Sequence, residues 1–574
     1  AYVFLGGGNT SYKTDDTLYI KPSGVTLADI RAEDFIAMDR VSVRALFTAR
    51  LSGETWRREE EVKNLMCAAV SSPGGGRPSV EAPLHELIDY RYVVHLHPAA
   101  VNGMTCAAEG ESACDRLFPE ALWVPYTDPG ATLALRIHEI LQTREGNAPH
   151  MIFLENHGVF VGADSADEVE KQYRKILSTL ATAYRDAGVA TELETSPADE
   201  EAVQHWAPRI RGALGCHDGF PVVAGAFQAF SPARGPLTPD HMVYAKAFPC
   251  LCEDAAPAAD IERFEVDHGY RPRLVVVPER AVFGVGSDVK GALGVLVAAR
   301  DAALVCQMTE AFGGPRFLDD RQRSFIEDWE VESYRRKIAA GSDGGGGRAK
   351  GKVCVVTGGA QGFGLGIAEG LAAEGAMVVI ADVNLEGARN SAEELCGRHG
   401  AERVSAVEVD VRSEDSVMAM VREIVWRFGG IDLLVSNAGV LRAGSVKELT
   451  LVDWNLVTAV NYTGYFLCTK HVAPVMAAQN EAGKGPWTDI IQISSKSGLQ
   501  GSNRNFAYAG SKFGGIGLTQ SFALELLEDR IKVNSVCPGN YFDGPLWSDP
   551  DRGLFVQYLD SGKVPGAKSL QDVK

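Results

Sequence analysis

The sequence predicts an α/β protein that ends in a doubly wound parallel sheet, and three observations carry that reading. Residues 353–382 run from an apolar β-type stretch through a glycine-crowded turn into a helical pattern and on to a second apolar stretch, which is one βαβ unit. Two further apolar stretches, 431–436 and 490–493, follow it as strands of one sheet would. Upstream, residues 151–160 and 274–283 each give an apolar strand, a short polar turn and a Val-Phe pair, and each leads into a long helix.

Composition bounds the rest. A chain of 574 residues exceeds what one core holds, so two to four domains are expected. Hydrophobic residues make up 45%, with no run long enough to span a membrane. A formal net charge of −19 without any basic stripe argues against a nucleic-acid partner. The 11 cysteines are scattered, which suits reduced thiols and a cytoplasmic location. No signal peptide is visible. The chain begins at Ala1 without Met and meets a glycine turn within six residues, so it reads as trimmed at its N-terminus.

In chain order, Gly6-Gly-Gly-Asn-Thr-Ser11 opens the first domain, followed by a β-type run at 17–21 and the turn Pro22-Ser-Gly24. Two such turns can cradle a phosphate, or form an ordinary hairpin. Residues 26–51 read as a polar turn and then a helix. Ser79 is a candidate N-cap for a helix over 82–88, with Glu81 in its first turn on the face of His85. In His95-Leu-His97 the alternation of a strand points both imidazoles to one side. That is metal-ligand spacing, or two half-buried histidines. A third histidine, His157, ends the apolar strand at 151–154 beside Gly158. Three histidines with an open position make a Lewis-acid site, and Glu81 supplies a base.

These pieces, with Pro125-Tyr126, Pro129-Gly130 and Asn156-His157-Gly158, resemble the class II aldolase/adducin family over roughly 1–195. The resemblance implies that Asn9, Ser23, Gly24 and Ser79 bind a substrate phosphate. It implies zinc on His95, His97 and His157, and proton abstraction by Glu81. Val80 departs from the family, where many members have a second serine. The first domain is set at 1–199.

The middle segment, 200–342, carries the least chemistry. Leu237-Thr-Pro-Asp-His241 and Lys246 read as a polar loop leading a strand, with no catalytic role. Strands are expected within 271–285, a long helix over 290–312, and a charged helix over 317–340 with Trp329 packing. The shared plan of 151–160 and 274–283 places Arg280 where His157 stands and Ala281 where Gly158 stands. The middle segment is therefore expected to hold a degenerate copy of the aldolase core, although no second His-x-His or Ser-Val-Glu completes it. A different strand order around Val276 and Phe153 would make the likeness a coincidence. Residues 343–350 are a Gly-rich linker and the clearest boundary.

In 351–574, Gly358, Gly362 and Gly364 let the backbone approach a pyrophosphate at a helix N-terminus. Asp382 ends the second strand, where it can accept ribose hydroxyls and repel a 2′-phosphate. Asn437-Ala-Gly439, Asn461, Ser495, and Tyr508 with Lys512 one helical turn on follow in order. This resembles the short-chain dehydrogenase/reductase family, a Rossmann fold. The resemblance implies NAD held by Gly358, Gln361, Gly362, Phe363, Gly364, Asp382, Asp410, Val411, Asn437, Ala438, Gly439, Tyr508, Lys512, Pro538 and Gly539. It implies catalysis by Asn461, Ser495, Tyr508 and Lys512, with Lys512 lowering the phenol pKa. Arg412 is a nearby cation that could overrule Asp382. Residues 540–547 resemble the matching stretch of sorbitol-6-phosphate 2-dehydrogenases. The family also implies a further helix and strand, so the domain reads as incomplete at its C-terminus.

The chain as a whole resembles the fused rhamnulose-1-phosphate aldolase/short-chain dehydrogenases. That implies zinc-dependent retro-aldol cleavage of a ketose 1-phosphate and NAD-dependent oxidoreduction of a small hydroxy or carbonyl compound. The expected partners are a sugar phosphate and an aldehyde or polyol, with no nucleic acid and no membrane, in a homo-oligomer. The alternative is a polyol- or sugar-phosphate dehydrogenase carrying a non-catalytic adducin-like interaction domain.

Overall fold

The computed structural model describes residues 3–71, 77–144, 148–215, 221–253, 256–328, 347–400, 402–483, 487–540, 545–551 and 553–574. The glycines at 74–76, Trp329, part of the linker, and 541–544 of the sorbitol-6-phosphate-like stretch lie outside them. No described helix is long and apolar enough to cross a membrane. Every described cysteine is a free thiol.

Seven strands build the first sheet: β1 (Asn9–Lys13), β2 (Thr17–Ile20), β3 (Ile36–Asp39), β4 (Tyr92–Leu96), β5 (Leu122–Val124), β6 (Met151–Leu154) and β7 (Gly158–Ala163), in the order β3-β2-β1-β4-β7-β6-β5. Only β5 and β6 pair in parallel. Alternation sets the faces: Leu18 and Ile20 are fully buried, whereas Tyr19 between them is exposed. β3 corrects the reading of 26–51 as turn and helix. Ile36 and Met38 are buried on one face of a four-residue strand, a pattern too short to stand out against the helix beyond it.

A two-residue pair, β8 (Ser196–Pro197) with β10 (Gln228–Ala229), joins the end of the first domain to the middle segment, which adds a four-stranded sheet. That sheet holds β9 (Val222–Gly225), β11 (Cys250–Leu251), β12 (Leu274–Val277) and β13 (Ala281–Gly286) in the order β11-β12-β13-β9. Its plan matches β5-β6-β7-β4. In both, the first pair is parallel and the next two are antiparallel. Phe153 faces Val159 as Val276 faces Val282, and Ile152 faces Phe160 as Val275 faces Phe283. The turns carry left-handed residues at the same position, Asn156 (φ 55°) and Glu279 (φ 63°). The following helices, Ala166–Asp186 and Val289–Thr309, are both 21 residues long, capped by Ser165 and Asp288. The strands around Phe153 and Val276 thus have the same neighbour order.

The last sheet is wholly parallel: β14 (Val353–Thr357), β15 (Met377–Asp382), β16 (Val404–Glu408), β17 (Leu433–Ser436), β18 (Thr488–Ile493) and β19 (Ile531–Val536), in the order β16-β15-β14-β17-β18-β19. All of β14 is buried, as a strand covered by helices on both faces must be. The order reverses between β14 and β17, the crevice where ligands bind in such sheets.

The linker separates stretches of sequence without separating cores. One apolar cluster runs from Val203, Ile210 and Val223 of the middle segment to Val425, Phe428 and Ile431 of the dehydrogenase part. At its centre Arg211, 2% exposed, pairs with Asp432. Asp432 also accepts from the Val353 N–H (2.7 Å) and the Gln479 amide (2.7 Å). Removing one member of a buried ion pair strands the other's charge, at about 3–5 kcal/mol. Arg211→Ala is therefore expected to lower the urea unfolding midpoint by an amount worth about that much. An unchanged midpoint would show that the pair is not needed for docking.

Candidate metal centre and dehydrogenase site

His95 lies at the end of β4 and His97 just beyond it, while His157 sits in the turn between β6 and β7. The pairing of β4 with β7 brings them together, with His95 opposite Phe160. One ligand atom from each imidazole lies within 4.8 Å of the others. None of the three is more than 9% exposed.

Their hydrogen bonds fix which nitrogens face the cluster. His95 Nδ1 lies 3.1 Å from the Val159 carbonyl, which can only accept, so Nδ1 carries the proton. His97 Nδ1 lies 2.6 Å from Asp240 Oδ2. Asp240 comes from the middle segment. The two Nε2 atoms lie 2.8 Å apart, and His157 Nε2 stands 3.5 Å from that of His95, so all three turn to one point. A shared cation fits that arrangement. Burial holds the His95 imidazole well below its ordinary pKa, against the pull of Glu81, so it stays a neutral ligand. Gly158 keeps the space open, since a Cβ there would lie 2.5 Å from the His97 ring. The donor set, its protonation and its room all fit a divalent metal.

Glu81 Oε1 stands 3.4 Å from His95 Nε2 and 3.6 Å from His157 Nε2. Its Oε2 accepts from the Asn9 amide at 2.6 Å, and the same amide donates to Ser79 Oγ at 2.6 Å. Glu81 is the N-cap of the helix Ala82–Leu87, a correction to its placement in the first turn. Ser79 Oγ accepts the Glu81 N–H (3.2 Å) and so holds the carboxylate's backbone. Of the four expected phosphate residues, Asn9 and Ser79 thus touch one another. Ser23 and Gly24 come alongside through the Pro22–Pro78 bridge and the Ser23 N–H to the Arg77 carbonyl (3.0 Å). The Asn9 Oδ1 atom is buried without a hydrogen-bond partner, as a ligand-facing acceptor would be.

The stretch Leu237–His241 was missing from this site in the sequence reading. It is no polar loop: Thr238, Asp240 and His241 are all at most 5% exposed, and Pro239–Ala245 is a helix capped by Thr238. The usable signals were Pro followed by Asp after a Thr, a helix-start pattern, and the need of His97 for an acceptor.

In the dehydrogenase part, Gly358 has φ 63°, and Gly364 packs its helix against the Gly358 carbonyl. Gln361 caps the helix Gly362–Ala373, and Phe363 at its start is 39% exposed beside the open Gly362. Asn437 ties β17 to this loop by donating to the Thr357 (2.9 Å) and Gly358 (3.0 Å) carbonyls, and Ala438 N–H binds Thr357 Oγ1 (3.1 Å). Asp382 accepts from the Ala360 and Asn384 N–H groups, both at 3.0 Å. Arg412 does not reach towards Asp382. It pairs with Asp410 at 2.6 Å and holds that carboxyl below its usual range. Val411 is buried against Gly464. The Pro538 carbonyl accepts from Lys496 N–H (3.0 Å), and Gly539 beyond it faces open space.

Tyr508 and Lys512 share a face of the helix Phe506–Glu525, and Ser495 stands near enough to the phenol to affect its titration. Asn461, on a π-helical turn Ala459–Thr463, accepts from Val440 N–H (2.8 Å) and donates to Ser511 Oγ (3.1 Å). The expected lowering of the phenol pKa is not seen. Burial raises Tyr508, with Ser495 pulling the other way. Burial also brings Lys512 down to about 8. Its ammonium donates to the Ile493 carbonyl (2.7 Å) and lies 5.6 Å from the Tyr508 ring centre, so desolvation outweighs attraction.

The fold and the two sites define an oxidoreductase joined to a class II aldolase-type domain, and the comparisons agree. The family described as "Class II Aldolase and Adducin N-terminal domain" matches residues 1–182, and "short chain dehydrogenase" matches 352–546. The chain belongs to the short-chain dehydrogenase/reductase family, in its form fused behind a class II aldolase domain. It is similar to the uncharacterized oxidoreductase YuxG of Bacillus subtilis, 28% identical over 94% of this chain and 84% of that one. It is 40% identical to the sorbitol-6-phosphate 2-dehydrogenase of Escherichia coli over 36% of this chain and 76% of that one. Among solved structures, the sorbitol-6-phosphate 2-dehydrogenase SrlD of Erwinia amylovora is 41% identical over 36% of this chain and 77% of that chain, with a TM-score of 0.34. A nicotinamide cofactor follows from the family.

His85 gives this region a pH dependence. It is fully buried, 2.8 Å from Ser11 Oγ, and burial brings it from 6.5 down to about 3, against the pull of Glu81. The folded state thus binds fewer protons here than the unfolded state between pH 3 and 6.5. Its stability contribution is fully present above 6.5 and falls as the pH drops towards 3. His85→Gln is expected to move the acid-unfolding midpoint to lower pH, as followed by circular dichroism. No movement would show that other groups set the acid limit.

Proposed function

We propose that the protein is a bifunctional enzyme. Its first site performs zinc-dependent retro-aldol cleavage of a ketose 1-phosphate resembling rhamnulose 1-phosphate. Its second performs NAD-dependent oxidoreduction of a small hydroxy or carbonyl compound, for which the aldehyde product is a candidate. The observation that carries the reading is the convergence of three buried imidazoles beside the Glu81 carboxylate.

His95, His97 and His157 would hold the zinc, which when bound polarises the substrate carbonyl. Asn9 and Ser79, joined to Glu81, orient the substrate's phosphate end beside it. Glu81 moves the proton that bond cleavage requires, and its fixed backbone keeps the carboxylate in place. In the second site the loop from Gly358 to Gly364 would hold the nicotinamide cofactor, which would supply hydride acceptance or donation when bound. Tyr508 Oη exchanges the substrate hydroxyl proton, Ser495 holds that oxygen, and Lys512 sits buried below them.

The likeness to sorbitol-6-phosphate 2-dehydrogenase supports a second reading, a polyol-phosphate dehydrogenase with a non-catalytic front domain. The two readings part cleanly. Under the first, the protein carries zinc and releases an aldehyde from ketose 1-phosphates. Glu81→Gln is then expected to lose cleavage by about 10²-fold or more while keeping NADH formation, and Tyr508→Phe the reverse. Aldehyde release that survives Glu81→Gln would remove Glu81 from the mechanism, and no release from any ketose 1-phosphate would favour the second reading.

Cofactor choice rests on Asp382. NAD is expected over NADP because the carboxylate repels a 2′-phosphate, and Arg412 is occupied by Asp410. Asp382→Ser should raise kcat/KM for NADP relative to NAD by about tenfold or more, a shift of about 1.4 kcal/mol. A native preference for NADP would contradict this assignment.

A further inference from the structure

The stretch 236–244 of the middle segment grips both ligand-bearing strands of the first domain. Asp240 reaches His97 Nδ1, and Gly7 packs against its carboxylate where any Cβ would collide. The Leu237 carbonyl accepts from the Asn156 amide at 2.9 Å, one residue before His157. Tyr244 accepts the Gly6 N–H at 3.2 Å. The helix itself is anchored by His241, which lies 2.9 Å from Asp301 and stacks on Phe4 at 5.5 Å.

An acid in the first turn of a helix is favoured by the helix dipole, and that alone would explain an exposed Asp240. It does not explain one that is 5% exposed and 2.6 Å from an imidazole that is 6% exposed. Burying a carboxylate is costly unless hydrogen bonds offset it. Metal-binding histidines characteristically donate their far N–H to such a group, which fixes ring and tautomer.

The element that delivers Asp240 belongs to the sheet whose plan repeats the first. In the common register Gly225 faces Phe283 as His95 faces Phe160. Phe227 then stands where His97 stands, and Arg280, paired with Asp199 at 2.6 Å, stands where His157 stands. Glycine and phenylalanine offer no ligand atom, and arginine cannot ligate a cation. In the first domain the helix Ala99–Thr105 follows β4. In the second, Pro239–Ala245 is the helix that follows β9 before the parallel edge strand.

We propose that the middle segment is a second, metal-free copy of the aldolase core that completes the first copy's site, with Asp240 as the positioning residue of His97. This rests on the metal reading above. Asp240 acts through His97: it keeps the proton on Nδ1 and the lone pair on Nε2, turned to the metal.

The test uses the whole chain, stripped of metal and titrated with zinc against a chromophoric chelator, and separately loaded with cobalt for its visible absorption. Asp240→Asn and Asp240→Ala are each expected to weaken zinc binding by about 10–100-fold and to change the cobalt bands. Circular dichroism of the metal-free variants checks that each is folded under the titration conditions, so that zinc affinity and the cobalt bands are read on folded protein. Tyr244→Phe, which removes a grip on the same helix without touching an imidazole, should leave zinc affinity within about twofold of the parent. Parent-like zinc affinity and cobalt spectra in both Asp240 variants overturn the proposal while leaving the metal reading intact. Equal weakening by Tyr244→Phe would reduce Asp240 to a general packing role and overturn it too. A parent protein that binds no divalent metal overturns both.

Discussion

Burying three imidazoles and a carboxylate in one place is the constraint that the N-terminal half answers to. An unmet polar group in a dry interior costs about 1–3 kcal/mol, and an unmet charge more. Each need is satisfied by a different part of the chain. His95 is met by the Val159 carbonyl of the neighbouring strand, so the β4–β7 register also sets its tautomer. Glu81 is met by Asn9, which sits directly across the sheet from His95. His97 Nδ1 is met by reaching 143 residues along the chain to Asp240. The order of the strands, the opening glycine turn and the docking of the middle segment all serve one small polar cluster.

The dehydrogenase part solves the opposite problem, keeping a cradle open instead of filling it. Gly364 brings helix and strand into backbone contact, while Gly362, one turn of the loop away, faces open space with φ 58°. Thr357 and Asn437 tie the loop to the neighbouring strand, so the opening stays rigid. Burial dominates the two titrating groups: it moves the phenol up and the ammonium down, each towards its neutral form. The Lys512 ammonium is held in place by the Ile493 carbonyl at 2.7 Å.

What the sequence made legible was local. The glycine turn, the ordered Asn, Ser, Tyr and Lys positions, and His95 with His97 on alternate strand positions are short-range patterns with a chemical reason. His157 joined them because an apolar strand ended beside a glycine. The strand at Ile36–Asp39 was hidden because four alternating residues lie against a helix-forming stretch. Asp240 was hidden because its partner is set by tertiary packing, and Pro-Asp-His reads equally well as a turn. The shared core was hidden because a glycine-rich linker marks a break in the chain, whereas Arg211 and Asp432 pair across it.

The middle segment meets a buried charged or polar partner on each side, Asp240 with His97 on one and Arg211 with Asp432 on the other. Such pairs add little net stability over apolar packing, but any docking that leaves one member unmet is penalised by about 3–5 kcal/mol. They therefore select one placement among the many that apolar surfaces would accept. The middle segment's sheet carries apolar bulk that packs on the dehydrogenase part, and its helix Pro239–Ala245 carries Asp240 to His97.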